Sequence, residues 1–147
     1  MHIQPYVVLH SSDRGLEKGF DWARRQALDW VSLGCPVGDY YEAALPGRAA
    51  FCMRDVSHQC TGAEVLGLSS LNLNMLSKFA AAIDEKLDYC SYWEIDRWDR
   101  PCPVDYANER DFWYNLPANF DVLDACYRMY RWTGIRAYLD GSVFDRF

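Results

Sequence analysis

The chain has 147 residues, of which 50% are hydrophobic, and this fits one globular domain rather than two. A formal charge of -6 argues against a nucleic-acid-binding surface, which needs a basic footprint. No apolar run is long enough to cross a bilayer, so no membrane partner is expected. No secretory signal is predicted either. A soluble cytoplasmic protein is expected, or an exported one if an N-terminal signal has been lost.

The first predicted helix spans residues 14–32, where apolar residues recur at steps of three and four. Asp13 is its predicted N-cap, and Gly34 followed by Pro36 ends it. The helical period is lost from residue 35 to residue 53. This long connection has room for a short strand and is the kind of loop that often carries function.

A second helix is predicted to begin near Asp55 or Ser57, and a third to run from Ser69 to about Asp88. Helical periodicity then disappears over residues 89–115. With no strand-rich region in the chain, the sequence predicts an all-α fold of helical hairpins joined by long ordered loops.

A fourth helix is predicted to start with Pro117 in its first turn and to end at Gly134. Residues 135–147 again favour a helix. The predicted buried face of the fourth helix consists of Phe120, Leu123, Tyr127 and Tyr130.

The six cysteines form neither a CxxC pair nor the alternation with histidine that builds a zinc site, so no metal or other cofactor is predicted. Cys60 and Cys126 fall on apolar faces of predicted helices. Buried thiols are therefore favoured, while the even count leaves a disulfide framework open.

The candidate functional residues are concentrated in residues 89–115, where eight of the 27 positions are aromatic and six are acidic. Aromatic rings beside carboxylates suit a sugar, which presents apolar C–H faces to a ring and hydroxyls to acceptors. Trp93 beside Glu94 favours a proton donor, because an indole neighbour raises a carboxyl pKa. The alternative is that the rings fill a small loop core and the acids face water. The candidates for catalysis are Glu94, Asp96 and Asp111, and those for stacking on a sugar are Trp93, Trp98 and Trp113.

A second candidate is the segment from Arg54 to His58, where a long loop enters a helix. An Asp at a helix N-terminus is stabilised in its ionised form and suits sugar hydroxyls. Taken by itself, Asp55 is better explained as a simple N-cap, and His58 could be a ligand, a base or a packed side chain. Asp124 and Arg128, four residues apart, predict a solvated helix pair.

Three segments together resemble bacterial six-hairpin glycosidase-like proteins: FCMRDVSHQ (51–59), YWEID (92–96) and DFWYNLPANFD (111–121). The similarity extends from about residue 40 to the C-terminus. It implies an (α/α)6 toroid in which Arg54 and Asp55 hold a terminal sugar. It also implies that the loops of Trp93-Glu94 and Trp113-Tyr114-Asn115 line the cleft, and that the proton donor and base of relatives come from later hairpins.

Twelve helices at about 30 residues each would need roughly 350 residues, so the resemblance implies a partial toroid truncated at the C-terminus. Missing hairpins of the same polypeptide, or self-association, would then cover the open apolar faces. Residues expected to be exposed for want of the next hairpin are Tyr138, Leu139, Phe144 and Phe147.

The sequence therefore predicts a carbohydrate-active hydrolase, or its sugar-binding portion, that cleaves a glycosidic bond by acid and base groups without a metal. Its partner would be an oligosaccharide or glycoside, and the isolated chain is expected to have little activity. Asp55, Glu94 and Trp113 are predicted to surround one concavity. The alternative is a non-catalytic helical module that binds carbohydrate or protein.

Overall fold

The computed structural model describes residues 7–43 and 47–140, and all counts below refer to them. Four α-helices form: α1 (Arg14–Asp29), α2 (Met53–Val65), α3 (Ser69–Ala81) and α4 (Leu116–Thr133). Six short strands pair as three antiparallel two-stranded sheets: β1 (Val31–Ser32) with β2 (Tyr40–Tyr41), β3 (Ala50–Cys52) with β4 (Glu94–Asp96), and β5 (Tyr106–Asn108) with β6 (Asp111–Phe112). Two 3-10 helices span Glu85–Leu87 and Arg136–Tyr138.

The predicted fold class, an all-α partial (α/α)6 toroid, is wrong, because the chain is a mixed α/β structure with three small sheets. The physical reason is the length of the strands. A strand of two or three residues is too short to show an alternating pattern. The β3–β4 pair also joins segments about 40 residues apart, with Cys52 opposite Glu94.

Of the four helix starts, only that of α1 has a side-chain cap. Asp13 caps α1 as predicted, accepting the N–H groups of Gly15 and Leu16. The helix ends at Asp29 instead of Ser32, because Val31 and Ser32 pair with β2. α2 begins at Met53, before the predicted Asp55, where the Met53 N–H binds the Trp93 carbonyl at 2.9 Å.

The core lies where α2, α3 and α4 meet, and β3 closes it from one side. α4 turns a face of small and medium side chains inward, namely Ala118, Val122, Ala125, Cys126 and Met129. The predicted face was wrong at two of its four residues, since Phe120 is 63% exposed and Tyr127 is 49% exposed, whereas Leu123 and Tyr130 are half-buried and Tyr130 packs against the core. Apolar residues recur at helical spacing on two faces of α4, so spacing alone does not show which face is buried. The face with the smaller residues is the buried one, because small side chains let α4 pack more closely against α2 and α3.

The chain after α4 folds back on the core. Gly134 adopts a left-handed conformation (φ 73°) at the end of α4, as the predicted stop requires. The expected exposure of Tyr138 was wrong, since its ring is fully buried and its hydroxyl donates to the Ser69 carbonyl at 3.3 Å. Leu139 is half-buried, while Phe144 and Phe147 lie outside the described residues.

All six cysteines have free thiols, and five of them are buried, as the sequence favoured. None of the helices in the described part of the chain has the length and apolar character needed to cross a membrane.

Candidate functional site

The N-terminal ends of α2 and α4 meet at one end of the helix layer. Arg54, in the first turn of α2, approaches the Asp121 carboxylate of α4 at 3.5 Å. Its guanidinium also donates to the Asn115 side-chain oxygen at 3.5 Å. The structure thus brings two of the three resembling segments together through one side chain.

The third segment joins them through Trp93. The Arg54 guanidinium lies 5.5 Å from the centre of the Trp93 ring, in a cation–π arrangement. The centre of the Trp113 ring lies 6.3 Å from that of the Trp93 ring, and the two ring planes are inclined by 51°. Trp113 is 57% exposed, so the far side of its indole faces solvent. An open aromatic face therefore lies beside a charged and amide-bearing cluster.

The β5–β6 hairpin lies directly before Trp113 and sets the position of its backbone. Side chains of successive strand residues point to opposite faces. Phe112 therefore packs on one side, with ring centres 6.5 Å from Tyr106 and 6.1 Å from Tyr114. Trp113 follows β6 directly, and its backbone N–H donates to the Asp105 carbonyl at 2.7 Å. Tyr114 itself is half-exposed at the edge of this stack.

A concavity of about 300 Å³ opens beside Trp113, a volume at the lower end of small-molecule sites. Two acidic residues, Asp105 and Asp111, line it together with Trp113. We call it the hairpin concavity, and it is lined by Pro103, Val104, Asp105, Tyr106, Ala107, Asp111, Phe112 and Trp113.

Glu94 lies behind the hairpin concavity and does not line it. Its residue exposure is 4%, and its carboxylate contacts the Arg48 guanidinium at 2.5 Å. The same Arg48 nitrogen lies 3.4 Å from the Asp105 carboxylate. Burial raises the pKa of Glu94, and neighbouring Asp105 raises it further, against the opposing effect of Arg48.

Asp55 is half-buried in the first turn of α2, where Cys52 is the N-cap, so Asp55 is not the cap. Burial raises the pKa of the Cys52 thiol to about 12, and the charges of Asp55 and Glu94 add to the effect. Both carboxylates therefore lie near the Cys52 sulfur. Of Asp55, Glu94 and Trp113, which were predicted to surround one concavity, only Trp113 lines the hairpin concavity.

Two other predicted residues belong to a tight turn. The Asp96 carboxylate accepts the N–H groups of Trp98 and Arg100 and pairs with the Arg100 guanidinium at 2.9 Å. These bonds hold the loop after β4. Trp98 is 57% exposed and lies against Arg97, at 5.6 Å, instead of joining Trp93 and Trp113.

His58 lies in a different part of the surface. It borders an apolar groove of about 730 Å³ between α1 and α2 that shares no lining residue with the hairpin concavity. The structure therefore separates His58 from the residues around Trp113.

Sequence reasoning gave no role to Arg48 or Asp105. Asp105 had a usable signal, because it is one of the six acids in the aromatic-rich loop. Arg48 had none, since its partners lie 46 and 57 residues away. The predicted pair of Asp124 and Arg128 is present at 2.9 Å.

No family model matches the sequence, and neither curated proteins nor solved structures give a significant match. In the ranges 7–43 and 47–140, no three His, Cys, Asp or Glu side chains come together in a way that could hold a metal ion.

Proposed function

We propose that this chain is a carbohydrate-active hydrolase, or the sugar-binding portion of one, and that the hairpin concavity binds a neutral sugar. The observation that carries this proposal is the exposed Trp113 ring next to Asp105 and Asp111. An indole face packs against the C–H groups of a pyranose, while carboxylate oxygens accept its hydroxyls.

The cluster of Arg54, Asn115 and Asp121 supports the proposal from the other side of Trp93. It offers donors and acceptors within reach of an extended sugar chain. The resemblance to six-hairpin glycosidases gives Arg54 and Asp55 a binding role at this same end of the helices.

Hydrolysis of a glycosidic bond needs one carboxyl group that gives a proton and a second that assists from across the bond. Asp105 and Asp111 both line the hairpin concavity, and Glu94 lies behind Asp105. The Asp96 carboxylate is already bound to the backbone of its turn and to Arg100, so its role is to hold the loop.

Calorimetric titration of the chain with neutral oligosaccharides, alongside turnover of aryl glycosides, tests this function. Trp113→Ala should weaken sugar binding at least tenfold, since loss of a stacking aromatic removes one face of the site. Trp132→Ala is the matched control. Trp132 is 58% exposed in the last turn of α4, roughly 24 Å along the helix axis from the first turn.

Binding together with turnover supports the hydrolase. Binding without turnover supports the non-catalytic carbohydrate-binding module instead. If no neutral sugar binds, or if both Trp variants weaken binding equally, the assignment of the hairpin concavity to sugar is wrong.

A further inference from the structure

The groove between α1 and α2, here called the interhelical groove, has the size of a small-molecule site. Its volume is about 730 Å³, and sites between helices that hold small molecules fall in this range. It shares no lining residue with the hairpin concavity, so what it binds is a separate question from the sugar site. Its apolar walls include Phe20, Ala27, Trp30, Tyr41, Ala63 and Leu66.

α1 presents an apolar face to the interhelical groove. Phe20, Ala27 and Trp30 recur at helical spacing and all line the groove. α1 contacts the core through Leu28, which is partly buried, and none of its residues is fully buried. A helix with one apolar face normally buries that face against another element. In α1 the apolar face borders open volume instead.

The α2 wall of the groove is kept open by a glycine. Gly62 lies inside α2, where glycine stabilises a helix less than alanine does. Its φ lies outside the left-handed range, and a Cβ added to it would meet no atom within 4 Å. The described part of the chain therefore has no steric need for glycine at this position. Its effect is to leave free space on the groove side of α2.

The polar groups of the groove are mainly hydrogen-bond donors. Arg24, His58 and Gln59 bring N–H groups to the described lining, where Glu42 is the one acidic residue. Burial raises the pKa of Glu42, against the opposing effects of the Tyr40 hydroxyl and of Arg97. The charge of Glu42 thus already has partners, whereas the donors favour a ligand that supplies acceptors.

Arg24 has hydrogen-bonding capacity that the described residues do not use. Its side chain is 18% exposed, and one terminal nitrogen binds the Asp21 carboxylate at 2.9 Å. The other lies 3.5 Å from the Val7 carbonyl, at the limit of a hydrogen bond. Its Nε is buried and has no acceptor among residues 7–43 and 47–140. Because a buried donor without an acceptor is unfavourable, this guanidinium favours a further acceptor.

We propose that the interhelical groove binds an amphipathic monocarboxylate of the fatty-acid class, with its acyl chain along the apolar walls and its carboxylate at Arg24. An ionised carboxylate only accepts hydrogen bonds, so it matches a donor-rich lining. Its bond to a guanidinium is charge-assisted and therefore stronger than a bond between neutral groups. The acyl chain covers the apolar face of α1, including Phe20 and Trp30. This binding is independent of the sugar site.

Calorimetric titration of the full chain with decanoate, below the concentration at which it forms micelles, tests the proposal. Decanoate should bind saturably, with one molecule per chain. Decanol and decyltrimethylammonium, which carry the same chain on a neutral and a cationic head, should each bind at least tenfold more weakly. Equal affinity for all three would overturn the role of the carboxylate. Absence of saturable decanoate binding would overturn the site itself.

Two pairs of variants separate the head group from the groove. Arg24→Gln should weaken decanoate binding at least tenfold and decanol binding little, while Arg25→Gln, at an exposed residue outside the lining, should change neither. Gly62→Phe should abolish binding of both by filling the groove, and Gly62→Ala should retain it. If Gly62→Phe does not fold, Ala27→Phe fills the groove from the exposed side of α1. Equal losses in both members of either pair would contradict the proposal.

The tryptophan indole N–H signals locate the bound decanoate. In two-dimensional NMR the Trp22 and Trp30 signals should move, because both residues line the interhelical groove, and the Trp113 signal should stay in place. Movement of Trp113 alone would contradict binding between α1 and α2. Sedimentation tests a different occupant, a second copy of the chain. A dimer that Gly62→Phe separates into monomers would show that the second copy covers the groove and that the proposal is wrong.

Discussion

The Arg54 guanidinium lies 5.5 Å from the centre of the Trp93 ring, while its Nε lies 3.5 Å from the Asp121 carboxylate. This one side chain therefore links the loop before β4 to the N-terminal ends of α2 and α4. The contacts are half-open to solvent, since the Arg54 side chain is 43% exposed and that of Asp121 34%. Such contacts orient a binding surface more than they stabilise the fold.

Arg54→Ala should accordingly weaken oligosaccharide binding about tenfold while lowering the free energy of unfolding by less than about 1 kcal/mol. Calorimetric titration and urea unfolding measure the two quantities. Arg131→Ala is a matched control, because Arg131 also lies over an aromatic ring, Tyr127, at 5.8 Å. Equal losses of affinity in the two variants would show that Arg54 does not belong to the sugar-binding site.

Asn119 holds the loop that leads into β4. It is 4% exposed, its amide donates to the Tyr89 carbonyl at 2.7 Å, and its oxygen accepts the Ser91 N–H at 3.1 Å. Tyr89 is itself left-handed (φ 58°), a conformation that needs support in a residue other than glycine. Asn119→Ala should therefore lower the free energy of unfolding by about 2 to 3 kcal/mol. The exposed Asn108→Ala should cost less than about 1 kcal/mol, and similar losses in both would show that Asn119 does not hold the loop.

The sequence predicted those features that depend on a few neighbouring residues. Asp13 as a cap and the end of α4 at Gly134 follow from local chemistry. The start of α3 at Ser69 was placed correctly, but its N-cap is Leu68 and no serine side chain caps it. The β3–β4 pair could not be predicted in this way, because three residues carry no period and their partners lie far along the chain.

The candidate site was predicted only in part for the same reason. Its aromatic and acidic content is visible in the sequence between residues 89 and 115. The contact of Arg48 with Glu94 and Asp105 exists only once β3 pairs with β4 and the hairpin folds over them. Composition could not show that Glu94 lies behind Asp105.

The two faces of α4 differ in their contribution to stability. Val122 is 1% exposed, whereas Phe120 is 63% exposed. Val122→Ala should lower the free energy of unfolding by about 1 to 2.5 kcal/mol, and Phe120→Ala by no more than about 0.5 kcal/mol. Urea unfolding of both variants checks this, and a larger effect at Phe120 would mean that the originally predicted face is the buried one.

The thiols should differ sharply in reactivity. Burial raises the pKa of Cys52, Cys102 and Cys126 to about 12, so at pH 8 only about one part in ten thousand of each is the reactive thiolate. Cys35 is only half-buried. With a disulfide reagent such as dithiobis(nitrobenzoate), the folded chain should show one fast thiol and five that react on unfolding. Cys35→Ser should abolish the fast phase, and several fast thiols in that variant would contradict the burial of the others.

The central claim is that a neutral sugar binds against Trp113, and two-dimensional NMR of the six indole N–H groups tests it most directly. On titration with an oligosaccharide, the Trp113 signal should move most and the Trp93 signal next, because their rings are neighbours at 6.3 Å. The signals of the exposed Trp22 and Trp132 should stay in place. Shifts at Trp22 or Trp132 with none at Trp113 would contradict a sugar site at the hairpin concavity.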